Sequence, residues 1–257
     1  MARSKGIHQH PFFKLGKAPV RRDPRTMKFA SLVKARITIP KEYDFDAQHR
    51  GIPTPMFAND RYGDCVMAGR AHQTLRFELV EQKKIISISD QDVIREYFEE
   101  TGGADTGLVV LDSLQKWQSA GWLVGAANYK IRGYSELELA NHDQVKQAIV
   151  LDLGVGLGLS LPLSAQVQFQ TGKPWDVVRG PRGAVNSWGG HYVFVPGYTT
   201  QGPVCVTWGR KQQMTWAFFD KFCDEAYAII DAVDTQKIKQ NIDVNKLEEL
   251  IAVLAAR

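Results

Sequence analysis

Two side chains in this 257-residue sequence have the chemistry of a thiol nucleophile and its base. Cys65 follows Gly63-Asp64 where a helical pattern begins, with Val66, Met67, Ala71, Leu75 and Leu79 on one face. The positive end of a helix stabilises a thiolate, and Asp64, an N-cap by type, opposes it with its charge. His191 stands in GGHYVFVPGY, at the start of a strand and after two glycines that allow a partner to approach closely. Cysteine and histidine so far apart in sequence must meet in space to act as nucleophile and base. A buried core thiol and a structural histidine are the plainer alternatives, and they are the expected roles of Cys205, Cys223 and His72. His72 lies seven residues beyond Cys65 on the same helix, about 10 Å along its axis, too far for proton transfer.

The elements that must hold this pair fall into two textures. The first half carries helical signals: a helix from Asp64 to about Gln82, a second opened by SDQD near Ser89 and closed by Gly102-Gly103, a third through LVVLDSLQKWQSAG, and a fourth over about 142–151. The second half alternates as strands in LGVGLGLSLP, HYVFVPGY and PVCVTWG, while MTWAFFDKFCDEAYAIID reads as an amphipathic helix and NKLEELIAVLAAR as a terminal one. The expectation is an α+β fold: a basic arm over 1–38, a helical lobe over 39–135 with Cys65, a strand-rich lobe over 136–232 with His191, and a C-terminal helix in 233–257.

Bulk numbers exclude several classes. No apolar run approaches the roughly 18 residues that span a bilayer, and no signal peptide is visible, so a cytoplasmic or virion-associated chain is expected. Three cysteines, an odd count, argue against a disulfide framework, and with no CxxC and His8-x-His10 isolated in the arm no metal site is expected. GVGLG opens no helix and is closed by Pro162, so no dinucleotide or other cofactor is expected; its glycines suit close packing or pocket room. The net charge of +4 is uneven. Residues 1–36 hold ten Lys/Arg against one Asp, leaving 22 basic and 27 acidic residues for the rest. Such an arm suits an acidic partner such as nucleic acid, an assembly partner, or its own domain.

Several segments, in order, resemble papain-like cysteine peptidases. IPKEYDFDAQHRGIPTPMFANDRYGDC resembles their mature start up to the nucleophile, TGGADTGLVVLDSLQKWQSAGW a Gly-Gly segment followed by a helix, DQVKQAIVLDLGVGLGLSLP the opening of the second half, GGHYVFVPGY the histidine strand, and CVTWG the later strand with its Asn-Ser-Trp-Gly motif. The chain also resembles a group of uncharacterised bacterial and phage proteins sharing NDxYGDC, GGH and VTWG. The resemblance covers about residues 39–230. It implies a helical lobe packed on a barrel-like antiparallel lobe with a cleft between them, and a peptide or protein substrate. Cys65 would be nucleophile, His191 base, Asn59 an oxyanion donor, and Gly102, Gly103 and Trp208 substrate contacts. Asn186-Ser187-Trp188-Gly189 is then a lookalike ahead of His191, and Val206 occupies the orienting asparagine position, where it cannot bond the imidazole. Three readings stay open: a Cys–His dyad, a different orienting group with Thr207 and Asn186 as candidates, or a silent site in a structural or binding protein, for example a component of a phage particle or another large assembly. A further one makes the arm an inhibitory segment lying in the cleft.

Overall fold

The computed structural model describes residues 13–34, 37–233 and 235–255. His8, His10 and the start of the basic arm lie outside them. Strand β1 (Tyr43–Asp44) leads into a one-turn helix α1 (Phe45–Gln48), whose N-cap Asp44 accepts the Asp46 and Ala47 N–H groups. Helix α2 (Cys65–Gln82) begins where the apolar spacing begins, and is buried along one side after another from Cys65 to Glu78. Its two buried arginines are paired internally. Arg70 donates to Glu100 and to the Ser113 carbonyl, and Arg76 forks onto both oxygens of Asp46 at 2.9 and 2.8 Å.

Helix α3 (Asp90–Thr101) opens with the expected capping box between Ser89 and Asp92. It is followed by α4 (Val110–Ser119), the hairpin β2 (Trp122–Val124) and β3 (Ala127–Tyr129), β4 (Ile131–Glu136), and α5 (His142–Val150), capped by the Asn141 side chain. Then come β5 (Gly154–Leu161), α6 (Leu163–Gln170), β6 (Gly189–Thr199), β7 (Gly202–Thr207), β8 (Arg210–Gln213), α7 (Trp216–Phe222), β9 (Cys223–Asp231), α8 (Gln236–Asn241) and α9 (Val244–Ala255).

The large sheet is antiparallel, in the order β4-β9-β5-β6-β7-β8 with β1 added to β6. It is strand-rich as expected, and among the described residues no pairing of β4 with β8 closes it into a barrel. Strands β1 and β4 come from the 39–135 segment yet belong to this sheet, so the helical lobe contributes strands to its neighbour. One apolar cluster gathers α2–α4 on one side, with Phe57, Leu111, Trp117 and Trp122; the other gathers α5–α9 on the opposite side.

The segment read as one long amphipathic helix divides at Phe222 into α7 and the interior strand β9. Ala226, Tyr227, Ala228, Ile229 and Ile230 are buried on both faces of the sheet. A strand covered on both sides shows an unbroken apolar run, which periodicity cannot separate from a buried helix.

The segment of residues 29–34 meets the last helices. Phe29 and Leu32 are buried against Ile238, Ile242 and Leu247. Lys34 N–H donates to the Asn241 carbonyl and Asp243 N–H to that of Leu32, at 2.8 and 2.7 Å. Among the described residues, no helix is long and apolar enough to cross a membrane.

Candidate active site

Cys65 is the first residue of α2, so its backbone N–H has no partner within the helix. The Tyr192 N–H donates to its sulfur at 3.4 Å, which seats the thiol against the residue that follows His191. Two absent side chains permit this. The Tyr192 ring lies where a Cβ of Gly69 would be, one turn along α2, and its hydroxyl lies where a Cβ of Gly156 would be. The hydroxyl also accepts a weak bond from Gln73 Nε2 at 3.4 Å. Gly156 belongs to the GVGLG segment, so its role is to admit Tyr192 and bring β6 up to α2.

His191 is fixed from two directions. Its Nε2 bonds Thr207 Oγ1 at 2.7 Å, and its ring stacks on Trp208, centroids 4.1 Å apart and planes within 13°. Val206 is buried in the core. The hydroxyl that holds the imidazole thus comes from the residue after it. Nδ1 has no hydrogen-bond partner. Of the two residues named as orienting candidates, Thr207 touches the ring. Asn186 is exposed in the loop before β6, in a left-handed conformation (φ 59°) with its N–H on the Ser160 carbonyl.

Asn59 lines the recess beside Cys65, but its amide nitrogen donates to the Tyr62 carbonyl at 3.2 Å and to Asp64 Oδ1 at 3.0 Å. Both its hydrogens are committed to the loop that leads into α2, and in this arrangement it offers no free donor. Asp64 occupies the N-cap position without capping through its side chain. Burial pushes its carboxyl up to about 8, aided by the charges of Asp105 and Asp90 and opposed by the Asn59 bond. Where it ionises, its charge adds to the rise of the Cys65 thiol, the opposition expected from its place at the helix start. His72 is a core residue packed on Phe57.

Gly102 and Gly103 end α3 in left-handed conformations with their N–H groups on the Phe98 carbonyl, and both are exposed. The strip that residues 16–18 pack on is formed by Gly107 and Leu108. The signal for it was in the same TGGADTGL segment, which holds a third glycine just before α4.

Both Cys65 and His191 are only 1 % exposed, because residues 13–18 lie over them. Lys14 N–H donates to the Asn59 carbonyl at 3.0 Å, and its own carbonyl accepts from Trp208 Nε1 at 3.1 Å. Gly16 lies against Gly63 and Gly107 with no room for a side chain, and its N–H interacts with the Cys65 sulfur. Leu108 N–H donates to the Gly16 carbonyl (2.8 Å), Ala18 N–H to that of Leu108 (2.9 Å), and Lys17 N–H to that of Gly190 (3.1 Å). Lys17 and Leu108 form a parallel bridge. Trp208 thus holds the backbone of the arm as well as the ring of His191.

Covering the pair changes its electrostatics. Burial pushes the Cys65 thiol up to about 12, against the smaller favourable effect of the Tyr192 N–H. Burial alone lowers His191 to about 3. With the arm in place both groups are neutral. Among the described residues, no cluster of His, Cys, Asp and Glu could hold a metal ion.

No sequence-family profile and no curated protein matches this chain. Solved structures do. Xylellain, a cysteine protease from Xylella fastidiosa, superposes with a TM-score of 0.65 at 15% identity, over 89% of this chain and 100% of its own. The Carica candamarcensis cysteine protease CMS1MS2 gives 0.56 at 15% identity, over 75% and 99%. Procathepsin B S9 from Trypanosoma congolense gives 0.57 at 14% identity, over 86% and 87%. The fold of this chain is that of the papain-like cysteine proteases.

Proposed function

We propose that the chain is a papain-like cysteine hydrolase that cuts peptide or related amide bonds, held inactive by its own residues 13–18. The observation that carries this reading is the bond from Thr207 to His191 Nε2. It restores at position 207 the orienting contact that Val206 cannot make, and leaves Nδ1 without a partner. A silent scaffold has no need of a fixed imidazole on the residue before the one whose N–H bonds a helix-terminal cysteine.

With the arm displaced, water reaches the pair and the burial that separates the two pKa values is relieved. Cys65 gives its proton to His191, and the thiolate attacks the substrate carbonyl carbon. The Cys65 backbone N–H donates to the oxyanion, and Asn59 joins it only if it releases Tyr62 or Asp64. The C–N bond then breaks as His191 protonates the leaving amine. Water, deprotonated by the same imidazole, releases the acyl group. Three of the similar solved structures are themselves named as pro-forms.

The second reading is a catalytically silent binding or assembly protein. It is favoured by Val206 and by the commitment of both Asn59 hydrogens. The test is hydrolysis of casein and of peptide amides by the Gly16→Ala chain, in which the arm is crowded off the thiol, with Cys65→Ala as control. Hydrolysis that vanishes in the control supports the enzyme. Absence of turnover although Cys65 alkylates readily supports the scaffold.

A further inference from the structure

Lys17 follows the residue that lies over the Cys65 sulfur, and its side chain turns inward. Its ammonium group sits 3.1 Å from Asp224 Oδ1 and 3.2 Å from Glu225 Oε1, with the Lys17 and Glu225 side chains each only 2% exposed. The second oxygen of each acid is already engaged: Asp224 Oδ2 accepts from the Ser160 hydroxyl at 2.6 Å, and Glu225 Oε2 from Tyr227 at 3.2 Å. The oxygens facing Lys17 have no partner other than its ammonium group. Room for the lysine stem is reserved by Gly158, where a Cβ would meet Lys17 Cδ and the Glu225 side chain.

These pieces belong to the floor of the cleft and not to the arm. Gly158 is paired in register with Tyr192, the residue whose N–H holds the Cys65 sulfur, and with Glu225 on the next strand. Once residues 13–18 leave, two buried carboxylate oxygens face an empty recess beside the nucleophile. A neutral side chain entering it leaves buried charge unpaired, whereas an ammonium group restores the pairing.

We propose that the Gly158–Asp224–Glu225 recess is a side-chain pocket of the cleft, selecting peptides that present a lysine to it, and that Lys17 occupies it as a built-in ligand. The proposal rests on the reading of the cleft as a peptide-binding groove, and is independent of whether bound peptides are cut.

The test uses the full chain carrying Gly16→Ala and Lys17→Ala, so that the arm is lifted and the recess unfilled, and an octapeptide of the 13–20 sequence, FKLGKAPV, supplied in trans. Protection of Cys65 from iodoacetamide reports binding. The lysine peptide is expected to protect at a concentration about 10–100-fold lower than the same peptide with norleucine at that position, the range for a hydrogen bond to a charged group. Adding Asp224→Asn and Glu225→Gln is expected to abolish the preference. Equal protection by both peptides overturns the proposal, as does a preference that survives loss of both charges. Should the combined variant expose Cys205 to alkylation, and so be unfolded, Glu225→Gln alone carries the comparison, with the preference expected to fall at least severalfold. Because protection is read and not turnover, a silent site still shows the lysine preference. Equal protection beside active casein hydrolysis leaves the hydrolase standing without this pocket.

Discussion

Gly16 is where a single methyl group should separate the arm from the site. A Cβ there would lie 2.6 Å from the Gly63 Cα, with the Gly63 carbonyl closer still. Ordinary contact begins at 3.4 Å, so the arm must retreat by at least about 0.8 Å. The bonds of Leu108, Lys17 and Ala18 that fasten it are 2.8–3.1 Å long, and a retreat of that size takes them beyond hydrogen-bonding range. Overpacking of this kind costs about 1–3 kcal/mol, which raises the population with the arm lifted by about 5–150-fold. Alkylation of Cys65 by iodoacetamide, followed by peptide mass mapping, should accelerate by that factor in Gly16→Ala. Cys205, fully buried in the other apolar cluster, is the internal standard for global unfolding. An unchanged Cys65 rate, or a rise matched by Cys205, would refute the claim that this contact shields the thiol.

Four other outcomes are expected. Thr207→Val removes the hydroxyl from His191 Nε2 and should lower kcat/KM about 10–100-fold in a Gly16→Ala background, with Thr207→Ser restoring most of it; an unaffected rate would mean that the bond does not orient the ring. Leu32→Ala, at a fully buried position where the arm meets the C-terminal helices, should cost about 2–4 kcal/mol in denaturant unfolding and speed Cys65 alkylation. Asp64 is protonated in the folded chain up to about pH 8 but only to about pH 4 when unfolded, so the stability it contributes is present below pH 4 and lost as pH rises toward 8. Asp64→Asn should therefore gain on the native chain across that window, by an amount on the order of a few kcal/mol, checked by urea unfolding at its two ends. His191 has the opposite sign: its folded value of about 3 lies below the unfolded 6.5, so its contribution is present above pH 6.5 and lost as pH falls toward 3, a loss that His191→Gln should remove.

Much of the frame is legible in local chemistry. The start of α2 is visible in the spacing after Cys65, the α3 cap in Ser89 and Asp92, and the α5 cap in Asn141, because caps and helical periodicity depend on residues a few positions apart. Thr207 could be named beside His191 only through the resemblance of CVTWG. An arm lying in the cleft was among the readings of the sequence, but that residues 13–18 would do the covering was not legible, since an extended segment without periodicity binds through its backbone and leaves no side-chain pattern. Nor were Asp224 and Glu225, which sit in a segment whose apolar run conceals its conformation. Their pairing with Lys17 spans most of the chain. The use of Asn59 within its own loop depends on the burial of Asp64, which only the packed structure reveals.

The meeting of residues 29–34 with the last two helices has a consequence for synthesis. Lys34 and Lys239, which touch where the arm is anchored, are 205 positions apart. At about 5–20 residues per second, the ribosome delivers the second roughly 10–40 s after the first. Through that interval residues 29–34 lack their anchor, although Asn59, Leu108, Gly190 and Trp208, which hold residues 13–18, have already been made. The order of manufacture thus lets the cover form before the last helices secure its base.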